Sequence, residues 1–251
     1  MTFTDHFAAV AAAYAAHRPT YPPQLFAWLA MQCPNRRLAW DCATGTGQAA
    51  VALADHFQQV WATDASSSQI EAATPCPTVT YRTAPADASG LPDRSADLIT
   101  VAQALHWFDL PRFYDEVRRV LAPDGLVAVW TYGVFRAEGS DAAAVQQLLD
   151  RFYHTTVGPC WPPERRHVEE GYAGLDFPFA ELAPPPFAMS VDWSLEDLAG
   201  YLRSWSAVSR YQQQYNNDPV TSLTGQLAPL WGPQPRRVVW PLSLKVGRLP
   251  S

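Results

Sequence analysis

The sequence predicts an α/β fold: a doubly wound, mostly parallel sheet with an antiparallel last strand and a helical cap inserted before that strand. Three observations carry this. Between Leu38 and Thr131, five short apolar segments alternate with segments of helical spacing, the order that βαβ units require. A glycine-bearing turn, ATGTG over Ala43–Gly47, joins the first of those strands to the next helix. After Gly133 the alternation stops, and from Pro159 prolines accumulate. The chain therefore divides into an N-terminal helical segment (1–37), the sheet core (38–133), a helical and irregular cap with a returning strand (134–235), and a terminal strand of the core sheet (236–251).

Each element has its own signal. Thr4 or Asp5 can cap a first helix, with Phe7, Val10, Ala11 and Tyr14 on one face, and Pro19 in HRPTYPP ends it. A second helix covers 24–31. Strand 38–42 is followed by helix 48–57, and strand 60–63 closes on Asp64. Helix 66–73 opens with a serine run suited to capping. Strands at 79–83 and 97–102 (DLITVA) precede a helix over 111–121, whose Phe113, Val117, Val120 and Leu121 share a face. Pro123-Asp124-Gly125 reads as a turn before a buried strand at 126–131. Such near-continuous apolar strands suit a sheet covered on both faces. In the cap, 141–153 is helical, 159–186 has no period, and 187–193 is a strand. Helices follow over 195–204, 206–214 and 218–231. The terminal strand covers 237–246, where Pro241 suggests an edge position or a bulge.

Composition narrows the partners. The 251 residues are 48% hydrophobic and 17% charged, enough for a sizeable core and too apolar for a disordered chain. A net charge of -6 with no run of Lys or Arg disfavours nucleic acid. Cys33, Cys42, Cys76 and Cys160 form no C-x-x-C pair, so neither zinc nor a redox dithiol is expected. Reduced thiols suit a cytoplasmic location. The opening MTFTDHF has Asp5 and His6 where a signal peptide needs basic residues, and no apolar run reaches the length of a membrane span. The expectation is a small-molecule partner, no nucleic acid, no membrane, no metal, and a monomer or homodimer.

The turn after the first strand poses a choice of ligand. Gly45–Ala50 reads G-x-G-x-x-A, which the dinucleotide fingerprint allows. Asp41, however, ends the preceding strand and would set a carboxylate beside the pyrophosphate. A nucleoside ligand without phosphate, carrying a cationic amine, suits that carboxylate better, directly or through water. Asp64 lies at the end of the second strand, the spacing expected of a ribose-binding acid. Its competing role is to cap the serine-rich turn that follows.

The segments AWDCATGTGQ, ATDAS, PADASGLPDRSADLITVAQALHWFD and EVRRVLAPDGLVAVW together resemble class I S-adenosylmethionine-dependent methyltransferases of the methyltransferase type 11 kind. Among these, the trans-aconitate methyltransferase-like small-molecule enzymes are the most similar, and YAAHRPTYPPQLF, SWSAV and VVWPLSLKVGR extend the likeness over nearly the whole chain. The resemblance implies a Rossmann-like core and S-adenosylmethionine as cofactor. It implies that Asp41, Ala43, Gly45 and Gly47 surround the methionine part, with Ala43 and Thr44 standing where the family usually has glycine and cysteine. It implies Asp64 at the ribose with Ala65 beside the adenine, Asp87 and Ala88 at the adenine, Gln103 and Ala104 near the methionine moiety, and Tyr14 and Arg18 in an amino-terminal lid.

Methyl transfer to carbon, nitrogen or oxygen asks the protein chiefly to align the reactants and exclude water. A carboxylate acceptor needs no base, whereas a hydroxyl or protonated amine does. His106, after the fourth strand, is the candidate base, with a role in shaping the pocket beside Trp107 as its rival reading. Trp107, Trp205 and Arg210 are the substrate-side candidates, with Arg203, Tyr201 and Tyr211 near them in sequence. Asp115, Glu116, Arg118 and Arg119 are expected on a solvated helix face. The expected activity is methylation of a small molecule, carboxylic-acid O-methylation among the options. The alternative is a non-catalytic protein that binds the same cofactor on the same fold.

Overall fold

The computed structural model describes residues 19–250. The expected first helix, Tyr14 and Arg18 lie outside the described residues.

The first described helix, α1 (Pro23–Gln32), starts on a proline that fixes the helical φ at a position needing no N–H. Then come β1 (Leu38–Cys42), α2 (Gln48–Leu53), β2 (Gln59–Asp64), α3 (Ser67–Glu71), β3 (Val79–Thr83) and β4 (Ala96–Ala102). A 3₁₀ turn (Leu105–Trp107) leads into α4 (Leu110–Val120), whose first turn is capped by the Asp109 carboxylate accepting the Arg112 amide. Strand β5 (Leu121–Tyr132) follows directly. The expected Pro-Asp-Gly turn is absorbed into it as a register shift, with Asp124 at φ +61°.

The strands run β3-β2-β1-β4-β5, all parallel, and β9 (Arg236–Arg248) adds antiparallel to β5. The chain order reverses between β1 and β4, so the crevice beyond their carboxyl ends is where such sheets bind ligands. Residues alternate between two buried layers. Leu126, Ala128 and Trp130 of β5 join Leu25, Phe26 and Leu29 of α1, while Val127 and Val129 join Phe113 and Val117 of α4. Trp130 is fully buried, worth about 3 kcal/mol of transfer free energy at the upper end for a side chain of this kind.

The cap comprises β6 (Arg136–Ala137), α5 (Ala142–Arg151), α6 (Arg165–Glu169), β7 (Ala180–Leu182), β8 (Ala188–Trp193), α7 (Leu195–Arg203), α8 (Ser206–Tyr215) and α9 (Pro219–Trp231). Helix α5 runs into a π-helical turn (Phe152–Thr156), then a 3₁₀ turn (Gly158–Cys160). The stretch that showed no period thus contains regular pieces, each too short to display one. Helix α7 opens with a reciprocal capping box between Ser194 and Asp197.

Strand β9 binds cap and core together. Val238 pairs with Ala137 of β6 and Val191 of β8, and Val246 pairs with Ala128 of β5 and Leu182 of β7. The edge position suggested for Pro241 is therefore wrong: this strand is interior. Pro241 sits between the Tyr132–Leu242 and Arg136–Val239 pairs, where β5 has ended and β6 has not begun, so its missing N–H interrupts no ladder there. The cap shares the core of the α1 face: Trp240 of β9 packs on Phe135, Trp193 and Tyr201, with ring centroids 5.1–5.6 Å apart.

Candidate active site

The loop after β1 is shaped by three residues with positive φ: Ala43 (+55°), Gly45 (+56°) and Gly47 (+89°). Only glycine enters this region freely, so Ala43 carries a backbone strain. Gly47 is the N-cap of α2, and a Cβ there would overlap the Tyr81 hydroxyl. That hydroxyl is held by the Thr74 carbonyl at 2.8 Å. Space over Gly45 is more open: the nearest atom to a Cβ would be Gln69 Oε1 at 3.7 Å.

Two acids organise the loop. Asp64 Oδ2 accepts the Gly45 amide and Oδ1 accepts the Ser66 amide, each at 2.9 Å. One carboxylate thus ties the β1 loop to the start of α3, which is the turn-closing role. Asp41 departs from expectation. It is 1% exposed, with Oδ2 accepting the Thr44 hydroxyl at 2.5 Å and Oδ1 the Thr100 hydroxyl at 2.7 Å. Its carboxyl is sealed under the loop, so direct contact with a ligand is replaced by support of the loop from below. Burial first, with the nearby Asp64 charge adding to it, pushes the Asp41 carboxyl up to about 6, against the hydroxyl bonds and the Ala50 amide.

This arrangement tests which nucleotide fits. The Gly45 amide, which a diphosphate would take, is occupied by a carboxylate. No Lys or Arg occurs between Arg37 and Arg82, so neither this loop nor its two flanking strands supplies a cation. Two acids and an open glycine loop suit a nucleoside without phosphate.

Around the loop, Ala65 and Ala88 are exposed, and Asp87 pairs with the exposed Arg112 at 2.7 Å. Gln103 follows β4 at φ +61°. Its Nε2 donates to the Tyr132 carbonyl at 3.1 Å, and its Oε1 accepts the Thr131 hydroxyl at 2.7 Å. Ala104 is half-buried beside it. These contacts lock the exit of β4 against β5 in a conformation that a non-glycine residue rarely adopts.

His106 stands in the next turn. Its Nδ1 lies 3.0 Å from the Tyr172 hydroxyl and its ring 4.7 Å from that of Trp107, which is 45% exposed. Burial, helped by the charges of Arg165 and His167, lowers the His106 pKa to about 4, so the imidazole is neutral near pH 7. Tyr172 is fully buried at φ +64°, a strained position that places cap residues over the end of β4.

The remaining substrate-side candidates lie in the cap. Trp205 is half-buried and packs among Phe135, Phe152, Tyr153, Trp161 and Tyr201. Arg210 donates to the Cys160 carbonyl at 3.3 Å, and Arg203 pairs with Asp218 at 3.0 Å, so both brace the cap. The solvated face of α4 holds for Asp115 and Arg118 but not for Glu116. That carboxylate is 6% exposed and accepts the Ser89 amide and hydroxyl and the Arg119 guanidinium, while Arg119 also reaches Asp93. Sequence reasoning missed Thr44, Thr100, Tyr172 and Arg165. A threonine three residues after Asp41 was a readable partner; the last two fall in the stretch without a period. Among the described residues no three His, Cys, Asp or Glu side chains converge as metal ligands, and no helix is long and apolar enough to cross a membrane.

Comparison with known proteins shows the family. A methyltransferase-domain family model matches residues 40–129. A protein of Dictyostelium discoideum named as a methyltransferase is 35% identical over 223 residues, 88% of this chain and 84% of its own length. The solved structure described as a type II methyltransferase from Anaeromyxobacter dehalogenans is 43% identical, covers 93% of this chain and 99% of its own, and superposes with a TM-score of 0.87. A methyltransferase of Aspergillus candidus is 29% identical over 67% of this chain and 60% of its own.

Proposed function

This chain belongs to the S-adenosylmethionine-dependent methyltransferases, and we propose that its acceptor is a small molecule, with carboxylic-acid O-methylation the favoured case. The observation that carries the cofactor side is the Asp64 carboxylate on the Gly45 amide, which takes a phosphate's place and leaves a phosphate-free nucleoside as the ligand that fits. When bound, S-adenosylmethionine supplies an electrophilic methyl group on a sulfonium.

In this reading the chain's own residues divide the work. Asp64 and Ala65 meet the ribose and adenine edge, Asp87 and Ala88 the adenine, and Ala43, Gly45, Gly47, Gln103 and Ala104 the methionine part. Tyr14 and Arg18 belong to a lid within 1–37, and the cap over 134–235 holds the acceptor against the core of 38–133, closed by the strand of 236–251. Arginine suits a carboxylate through charge-assisted bonds, the role given to Arg18. Neutral His106 can accept a proton from a hydroxyl acceptor through Nε2 when Nδ1–H donates to the Tyr172 hydroxyl. For a carboxylate acceptor no proton moves, and His106 with Trp107 only walls the site and excludes water. The buried surroundings that keep His106 neutral also make it a weak base, which favours the carboxylate case. We place the enzyme in the cytoplasm, acting as a monomer or homodimer.

Two measurements test this. Calorimetry with S-adenosylmethionine, its demethylated product and NAD should show binding of the first two alone. Tritiated-methyl transfer across carboxylic acids, phenols and amines should label an acid; label confined to amines would overturn the acceptor assignment.

A further inference from the structure

The cap contains a groove of about 280 Å³ lined by Tyr153, Trp161, Arg165, Arg166, His154 and Glu169, among others. Arg165 is its organising residue. The guanidinium lies 4.7 Å over the Trp161 ring and 5.7 Å over that of Tyr153, and its Nε donates to the Tyr153 hydroxyl at 2.7 Å. Stacking and one bond together fix the orientation of the fork, leaving its two terminal nitrogens with no hydrogen-bond acceptor among the described residues. The groove's own acid does not pair with it directly: Glu169 Oε1 accepts the Tyr153 hydroxyl at 2.6 Å, one hydroxyl away from the guanidinium, and Arg165 makes no ion pair among the described residues. Arg37, Arg112, Arg118, Arg119, Arg203 and Arg237 do pair with carboxylates.

The groove is also placed to serve the methyl-transfer site. Arg165 is close enough for its charge to act on His106, and Tyr172, three residues past α6, bonds His106 directly. A half-buried, oriented guanidinium between aromatic rings is built for a planar anion, which can take two parallel N–H bonds while its body lies on the rings.

We propose that Arg165 anchors a carboxylate of the acceptor substrate in this groove, a group separate from the atom that receives the methyl. Carboxylate oxygens held by the fork are hydrogen-bonded and turned toward the cap, so a second group, a further carboxyl or a hydroxyl, faces the cofactor. The acceptor class is thus a hydroxy acid or a dicarboxylic acid. This rests on the methyltransferase reading above for the site that the groove adjoins.

The test uses the full chain loaded with S-adenosylhomocysteine, titrated with benzoate, 4-hydroxyphenylacetate and succinate beside their neutral amides. At least one acid should bind ten or more times tighter than its amide. Arg165→Ala should abolish that preference while leaving amide affinity unchanged, Arg165→Lys should restore part of it, and Arg118→Ala, on the exposed face of α4 away from the groove, should keep it all. Arg165→Gln, which retains a donor for Tyr153, replaces the alanine variant if that one does not fold. An acid preference that survives in Arg165→Ala, or no binding by any of the three acids, overturns the proposal. Affinity for S-adenosylhomocysteine is measured alongside and should not change with Arg165. If the parent fails to bind it, the methyltransferase reading falls, and the acid titration repeated on the unloaded chain still decides the groove.

Discussion

Gly45, in the loop after β1, donates its amide to Asp64, at the end of β2, across 2.9 Å. The bond joins adjacent strand ends and orients a carboxylate at the mouth of the crevice. A hydrogen bond to a charged group is worth about 1.5–3 kcal/mol, or roughly tenfold or more in affinity where a ligand depends on it. Asp64→Ala should therefore weaken S-adenosylmethionine binding at least about tenfold. Asp115→Ala, on the exposed face of α4, should leave it unchanged. Equal dissociation constants for parent and both variants, by calorimetry, would take Asp64 out of the pocket.

Ala43 sits at φ +55°, where a Cβ is disfavoured. Replacing it with glycine removes about 1 kcal/mol of strain, offset in part by the greater freedom of glycine in the unfolded chain. Ala43→Gly should raise the urea midpoint, whereas Ala43→Val should lower it. A lower midpoint for the glycine variant would mean that the loop is not strained.

Gly47 presents the opposite case. Its φ of +89° and the Tyr81 hydroxyl both reject a side chain. Gly47→Ala should cost about 1–3 kcal/mol. In the Tyr81→Ala background the overlap is gone and only the backbone term remains, so the cost should shrink. A double-mutant cycle without coupling would separate the two residues.

Asp41 makes stability depend on pH with an unusual sign. Its folded pKa, about 6, lies above the ordinary value of 3.8, so the folded state holds a proton that the unfolded state releases. The contribution is fully present below about pH 3.8 and is lost as pH rises through about 6. Relative to Asp41→Asn, the parent should lose thermal stability across that window. A difference curve that is flat with pH would contradict the burial of the carboxyl.

Glu116 has the ordinary sign. The Arg119 guanidinium and the Ser89 hydroxyl and amide hold its carboxyl below the usual range despite burial. Its stabilisation is present at neutral pH and is lost as the solution becomes acid enough to protonate it. Glu116→Ala strands two Ser89 donors and leaves Arg119 with Asp93 alone, and should cost about 2 kcal/mol, read by chemical denaturation. A loss under about 0.5 kcal/mol would be that of a surface residue.

The sheet core was legible because its signals are local. Strand–helix alternation, the prolines at helix starts and the glycines of the β1 loop each report on their own few residues. What escaped depends on partners distant in the chain. Asp41 reads as a ligand group until Thr100, 59 residues away, is seen to cover it. Glu116 reads as solvated until Ser89 arrives from the segment before β4. The packing of Trp205 among five other aromatic residues of the cap, from Phe135 to Tyr201, likewise joins residues up to 70 positions apart. Between Pro159 and Pro186 the regular pieces run three to five residues, less than two helical turns, so no period could emerge.

Residues 236–248 come after every strand they pair with. During synthesis the hydrophobic flank of β5 stays an open edge until that stretch has left the ribosome, even though all five parallel strands are already made. Nascent chains paused before it would display an unpaired, apolar border, the kind that recruits chaperones or a neighbouring polypeptide. Late arrival of one segment thus sets when this enzyme becomes safe from aggregation, as well as when its two halves first meet.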